Sequence, residues 1–119
     1  MTTKKYDAIN LDYLELMADG DISMKKIMLD MLLEELPVEI EKMKALLQEG
    51  NWTELGNVSH KMKSTLAYVG NDEMTVANKT IETICKTGEA IDELPALMDN
   101  LIGNFELVLP ELKDANDSI

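Results

Sequence analysis

Leu55-Gly56-Asn57-Val58-Ser59-His60-Lys61-Met62-Lys63-Ser64-Thr65-Leu66-Ala67-Tyr68-Val69-Gly70 is the stretch that decides the fold. At about 100° per residue, Leu55, Val58, Met62, Leu66 and Val69 fall on one stripe with spacings of three and four, the pattern of a helix that buries one face. His60, the sole histidine, then points about 160° from the middle of that stripe. Its helical neighbours are Gly56, Asn57, Lys63, Ser64 and Ala67, with Thr53 one turn further back; most are small, one is a lysine and none is acidic. A reactive ring on so bare a face suits docking against another protein better than filling a core.

The charge map points to the same face. The chain carries 23 acids against 11 bases, a formal net charge of −12. From Leu55 to Asn71 there is no Asp or Glu, only Lys61 and Lys63. The result is a local positive spot on a negative surface, suited to an anionic group or an acidic pocket on a partner. A solvated helix face that happens to hold lysines and one titratable ring is the alternative, and histidine and charge alone leave both open.

Composition excludes several classes. Net acidity and the absence of arginine argue against nucleic-acid binding, which needs clustered cations to displace counterions. The single Cys85 allows no internal disulfide, offers no metal framework and fits a reducing compartment. No apolar run follows Lys4 and Lys5, so no signal peptide is expected. No stretch approaches the ~18 apolar residues of a membrane span. The expectation is a cytoplasmic protein with no membrane contact. Its 119 residues suit one domain, read as an ordered bundle over about 9–113 with frayed termini.

Turn signals divide the chain into helices. Residues 10–18 form a short amphipathic piece with Leu11, Leu14 and Met17 on one side, ended by Asp19-Gly20-Asp21. Asp21 or Ser23 can cap a second helix over about 22–48, whose inner face reads Ile27, Met31, Leu32, Leu36, Ile40, Met43 and Leu47. Pro37 predicts a kink or short break within it. Gly50 terminates it, and Asn51 with Glu54 resembles a capping box for the third helix, Trp52 to Val69. Asn71 caps a fourth, with Met74, Ala77, Ile81 and Ile84 inward until Thr87-Gly88. The fifth starts near Glu93 with Pro95 in its first turn, and Leu94, Met98, Leu101, Phe105, Val108 and Leu112 form a bundle seam before fraying from Ala115. The expected fold is all-α: an antiparallel up-down-up-down four-helix bundle with a short additional N-terminal helix.

Topology alone suggests a second group of side chains. The third and fourth helices meet at Gly70-Asn71, so residues equidistant from that turn lie at similar height. His60 is eleven before Asn71 and Glu82 eleven after it, with Lys79 and Lys86 one turn either side of Glu82. A carboxylate and two lysines can therefore stand beside the imidazole, with Glu82 fixing its tautomer so that the other nitrogen is the nucleophile. An ordinary solvent-side Glu82–Lys86 ion pair is the alternative, and helix rotation decides between them.

Metal chemistry lacks ligands, and neither a hydrolytic cleft nor a nucleotide cradle is evident. What remains is His60 as a nucleophile toward a group that a partner delivers. Phosphorylation would add negative charge that Lys63, and with it Lys61, Lys79 or Lys86, can hold.

The run Ser59 to Met74, closing on Ile81-Glu82, resembles the signature of histidine-containing phosphotransfer (HPt) domains: a His, an apolar residue, a Lys, a small residue, and a Gly that ends the helix. Here these are His60, Met62, Lys63, Ser64 and Gly70. The short first helix, the Pro-bearing second helix and the bundle extend the likeness to nearly the full chain. The resemblance implies His60 as phosphoacceptor from a receiver domain's aspartyl-phosphate, Lys63 as the phosphate-facing base, Glu82 and Lys86 beside them, and no autokinase or ATPase activity. It implies response-regulator receiver domains as partners, that of a hybrid sensor kinase among the candidates, with Mg²⁺ on the receiver and no cofactor on this chain. Gly56, Asn57, Ser64 and Ala67 would be the docking face. The first helix, through Leu11, Tyr13, Leu14 and Met17, would add to it. The sequence departs from the pattern in Ser64, where Gly is common, and in Tyr68, where smaller residues are. A dimeric histidine-kinase core would instead carry an acidic residue after the histidine and a proline soon afterwards, and Lys61 and the proline-free third helix disagree. The phosphotransfer reading therefore predicts a monomer. A plain interaction bundle remains the third reading.

Overall fold

Side-chain caps and left-handed glycines cut the chain into five α-helices in the computed structural model, which describes residues 6–119. They are α1 (Asp12–Ala18), α2 (Ile22–Glu49), α3 (Trp52–Val69), α4 (Asp72–Thr87) and α5 (Leu94–Asp117), with a 3₁₀ turn at Ile91–Glu93. Asp21 accepts the Met24 N–H at 3.1 Å, and Asn51 and Asn71 do the same for Glu54 at 3.2 Å and Met74 at 2.9 Å. Each cap satisfies one of the orphan donors at a helix start. The capping box expected at Asn51 is one-sided, because its own N–H bonds to the Leu46 carbonyl at 3.0 Å instead of to Glu54.

α2 to α5 form the antiparallel four-helix bundle, each packed on two neighbours, while α1 lies across α2 and α3. No strand occurs among the described residues. The α3 stripe of Leu55, Val58, Met62, Leu66 and Val69 is buried against Met74, Ala77, Ile81 and Ile84 of α4. Gly56 lets these two helices approach: a Cβ there would lie 2.9 Å from that of Cys85. Of the kink or short break expected at Pro37, the break is absent, and α2 runs as one helix of 28 residues with the proline inside it. Leu32 and Leu36 on one side of the proline and Ile40 and Met43 on the other are buried in a single core, which supports the helix on both sides.

Four expectations need correcting. Ile27 is 60% exposed and Met31 only half-buried; Leu29 takes the inner position at the start of α2. That register places positions 29, 32, 36, 40 and 43 on one stripe. In the α5 seam, Phe105 is half-buried rather than central. Leu14 is fully buried with Ala18, whereas Met17 is exposed. Finally, α5 does not fray at Ala115 but stays helical to Asp117, with Ala115 and Asn116 buried and the Asn116 amide donating to Asp30 at 2.9 Å.

Residues 6–10 are tied down as a strap across one end of the bundle. The Tyr6 hydroxyl donates to Asp114 at 2.9 Å, and the Ala8 and Ile9 N–H groups donate to the Glu111 carboxylate at 2.9 and 3.2 Å. Burial and the two nearby carboxylates push the Tyr6 phenol up to about 12. Asn71 donates to the Ala8 carbonyl at 2.9 Å, and Asn10 N–H to that of Val69 at 3.0 Å. The strap passes so close to Gly70, which sits at φ +71°, that a side chain there would meet the Asn10 backbone. The ordered region expected from about residue 9 therefore includes residues 6–8 as well, while the expectations for residues 1–5 lie outside the described residues.

Candidate functional site

Helix rotation is fixed beneath the histidine by a buried polar clamp. The Ser59 hydroxyl faces both the Asn78 carbonyl and its side-chain oxygen at 2.8 Å, while the Asn78 amide donates to the Ser59 carbonyl at 2.9 Å. Neither residue is exposed, and buried polar groups that satisfy each other in this way hold two helices in one register. With Ser59 clamped inward, the next residue, His60, must turn out. Its side chain is 62% exposed.

One turn along α4 from Asn78, Glu82 sits at the centre of the site. Its side chain is only 6% exposed, yet three basic groups reach it. His60 Nδ1 lies 2.5 Å from Oε2, Lys86 Nζ 3.1 Å from the same oxygen, and Lys63 Nζ 3.2 Å from Oε1. Hydrogen bonding from His60, then from Lys86 and Lys63, outweighs burial and holds the carboxyl at about 2, well below the usual 4.5. An ionised carboxylate can only accept, so Nδ1 of a neutral ring carries the proton and Nε2 keeps its lone pair. The rotation that the sequence left open thus brings Glu82 and Lys86 to the ring.

The other expected residues divide. Lys61 is exposed and, among the described residues, forms no ion pair; Lys79 does not pair with Glu82 either. Asn57, Ser64 and Ala67 are exposed on the His60 face. Gly56 is buried between α3 and α4, so it shapes the face by letting the helices close rather than by presenting a surface. Leu14 cannot meet a visitor from its fully buried position, and Leu11 is half-buried. Instead α1 presents Tyr13, Leu16 and Met17, with Tyr13 against Tyr68 of α3 at a ring separation of 5.3 Å.

Beside the ring lies an open groove of about 420 Å³, lined by Trp52, Thr53, Gly56, Asn57, His60, Cys85 and Lys86. Burial pushes the Cys85 thiol up, away from the reactive thiolate form. Sequence reasoning missed Leu16, Trp52 and the Ser59–Asn78 clamp. The clamp's serine and asparagine lie at the edges of facing stripes, where each by itself reads as solvated. Among the described residues no cluster of three or more His, Cys, Asp or Glu could hold a metal ion, and no helix is long and apolar enough to cross a membrane.

The site is thus an exposed imidazole held by a buried carboxylate that two lysines also reach, on the hairpin of a four-helix bundle. The sequence model of the Hpt domain matches residues 27–117, and the chain belongs to that family. No curated protein gives a significant match. Two solved structures share the fold. Histidine-containing phosphotransfer protein B (HptB) from Pseudomonas aeruginosa PAO1 aligns with a TM-score of 0.85 at 18% identity, over 97% of this chain and 99% of that one. The HPT domain of an Hpt sensor hybrid histidine kinase from Shewanella aligns with a TM-score of 0.81 at 21% identity, over 94% of this chain and 96% of that one. The family is one of phosphoryl carriers rather than of conventional enzymes, and its receiver-linked phosphorelay role extends to this chain in general terms.

Proposed function

We propose that this chain is a phosphorelay intermediate that takes a phosphoryl group onto His60 from the aspartyl-phosphate of a receiver domain and passes it to, or back to, a receiver. The observation that carries the reading is the bond between exposed His60 and buried Glu82. Nε2 attacks phosphorus, an N–P bond forms, and the acyl-phosphate P–O bond breaks to return the receiver's aspartate. The ring becomes cationic as the bond forms, and Glu82, already hydrogen-bonded to Nδ1–H, stabilises that charge without moving a proton. A charge-assisted bond of this kind contributes about 1.5–3 kcal/mol. In the reverse direction the same carboxylate holds the ring while the phosphoryl leaves.

Lys63 and Lys86, both tethered to Glu82, are the cations within reach of the new phosphoryl oxygens, and Lys61 adds long-range attraction. Asn57, Ser64 and Ala67 keep the approach low, and Tyr13, Leu16 and Met17 extend the docking face. On this reading the chain works as a cytoplasmic monomer without autokinase activity and needs no cofactor of its own, the Mg²⁺ belonging to the receiver.

The test is transfer from a phosphorylated receiver with Mg²⁺ present. An adduct labile in acid and stable in base, absent from His60→Gln, is expected. Equal labelling of the mutant would move the site elsewhere, and no labelling of the natural chain by any receiver would leave a plain interaction bundle.

A further inference from the structure

The furrow between α3 and α4 opens on both sides of Glu82. On the side away from the Trp52 groove lies a separate pocket of about 170 Å³, lined by Lys63, Leu66, Thr75, Asn78 and Lys79. At that size it has room for one side chain. Its lining is selective. Leu66 and Asn78 are buried, and the Asn78 side chain is bonded to Ser59 through its oxygen and through its amide nitrogen. The Thr75 hydroxyl donates to the Asn71 carbonyl at 3.1 Å. A neutral polar ligand would therefore find few free partners. What the pocket does offer is the Lys79 ammonium beside the buried Leu66, with Lys63 at its border.

Like Lys42, Lys61 and Lys113, Lys79 has no acidic partner among the described residues, and of these four lysines it is the one that lines this pocket. Its helical neighbours at three and four residues are Thr75, Val76, Glu82 and Thr83, and Glu82, the only acid of the four, is engaged by His60, Lys63 and Lys86. Lys63 borders this pocket while its ammonium rests on Glu82, so the pocket adjoins the phosphoacceptor without sharing its carboxylate.

We infer that this pocket seats an acidic side chain of the partner receiver, and that Lys79 is a specificity-determining contact rather than a phosphate ligand. The inference rests on the phosphorelay reading above. A carboxylate held by Lys79, with Lys63 alongside, would set the angle at which a receiver presents its phosphoryl group to His60, and a receiver with a lysine or a bulky group there would be turned away. Charge complementarity at such a rim acts chiefly on encounter and on partner choice.

The experiment compares two phosphoryl donors on Lys79→Glu and Lys79→Ala, whose site is exposed and whose folding is checked by circular dichroism. One donor is the best substrate from a panel of phosphorylated receiver domains. The other is phosphoramidate, which is too small to dock. For Lys79→Glu the KM for the receiver should rise about tenfold, with kcat and the phosphoramidate rate unchanged. The penalty should shrink in high salt, and reversing one acidic residue of the receiver to lysine should restore transfer. A matching loss with phosphoramidate would make Lys79 a phosphate ligand and overturn the inference. So would an unchanged KM for the receiver. If the natural chain accepts phosphoryl from phosphoramidate but from no receiver, the phosphorelay reading falls and takes this inference with it.

Discussion

Replacing Glu82 by Gln keeps the shape of the buried side chain and removes its charge, so the stability lost measures what three basic neighbours contribute. In the folded chain the carboxyl sits at about 2 instead of 4.5, with the His60 bond as the largest cause. At about 1.4 kcal/mol per pH unit, that difference sets a ceiling of ~3.5 kcal/mol on the stabilisation the ionised group provides. The three basic side chains are each more than half exposed, and solvent screens their share, so about 1–2 kcal/mol is expected at pH 7. The sign follows from the depressed value. The stabilisation is fully present above pH 4.5, the carboxyl's unfolded value, and is lost as pH falls through about 2. Urea unfolding of both proteins at pH 7, 4.5, 3 and 2 tests this, because every other acid is common to the two. The gap should hold from pH 7 to 4.5, then narrow, and nearly vanish at pH 2. A gap independent of pH, or a mutant more stable than the natural chain at pH 7, would refute the claim that Glu82 is an ionised hub.

Two glycines make a matched pair: Gly70 and Gly50 both end helices, at φ +71° and +70°. Alanine at either costs about 1–2 kcal/mol for the left-handed backbone, but only at Gly70 does the new Cβ meet the Asn10 backbone, so Gly70→Ala should lower the melting temperature further than Gly50→Ala. Ser59→Ala and Asn78→Ala should each cost about 1–3 kcal/mol by leaving a buried partner unsatisfied, and the double mutant should cost less than their sum in denaturant titrations. Lys63→Ala should slow phosphoryl transfer or shorten adduct lifetime with helicity intact, read by quench-flow and circular dichroism. Unchanged kinetics would remove Lys63 from the site.

The sequence was most legible where long helices carry a narrow stripe. On α3, polar residues flank the apolar ones on both sides, so only one face can turn inward, and all five expected residues are buried. Counting outward from Gly70-Asn71 was enough to set His60 and Glu82 at one height. Where apolar residues are in excess, periodicity loses its grip. The start of α2 offers Ile22, Met24, Ile27, Met28, Leu29 and Met31, and only packing selects Leu29. α1 has seven residues, fewer than two full turns, so three apolar positions fit more than one face and Leu14 was assigned outward. The Ser59–Asn78 clamp was hidden because a polar residue on a stripe edge reads as solvated until its partner on the facing helix is known. The strap was hidden for a related reason: its bonds run to Glu111 and Asp114, a hundred residues along the chain, and leave no periodic trace.

Because the chain has a single histidine, labelling that residue type with ¹⁵N gives only two ring-nitrogen resonances. Their spectrum after charging by a phosphorylated receiver is the most direct measurement of the central claim. Phosphorus coupling at Nε2, with Nδ1 still protonated and hydrogen-bonded, is the expected result. Coupling at Nδ1, or a ring unchanged while the protein carries phosphate, would contradict it.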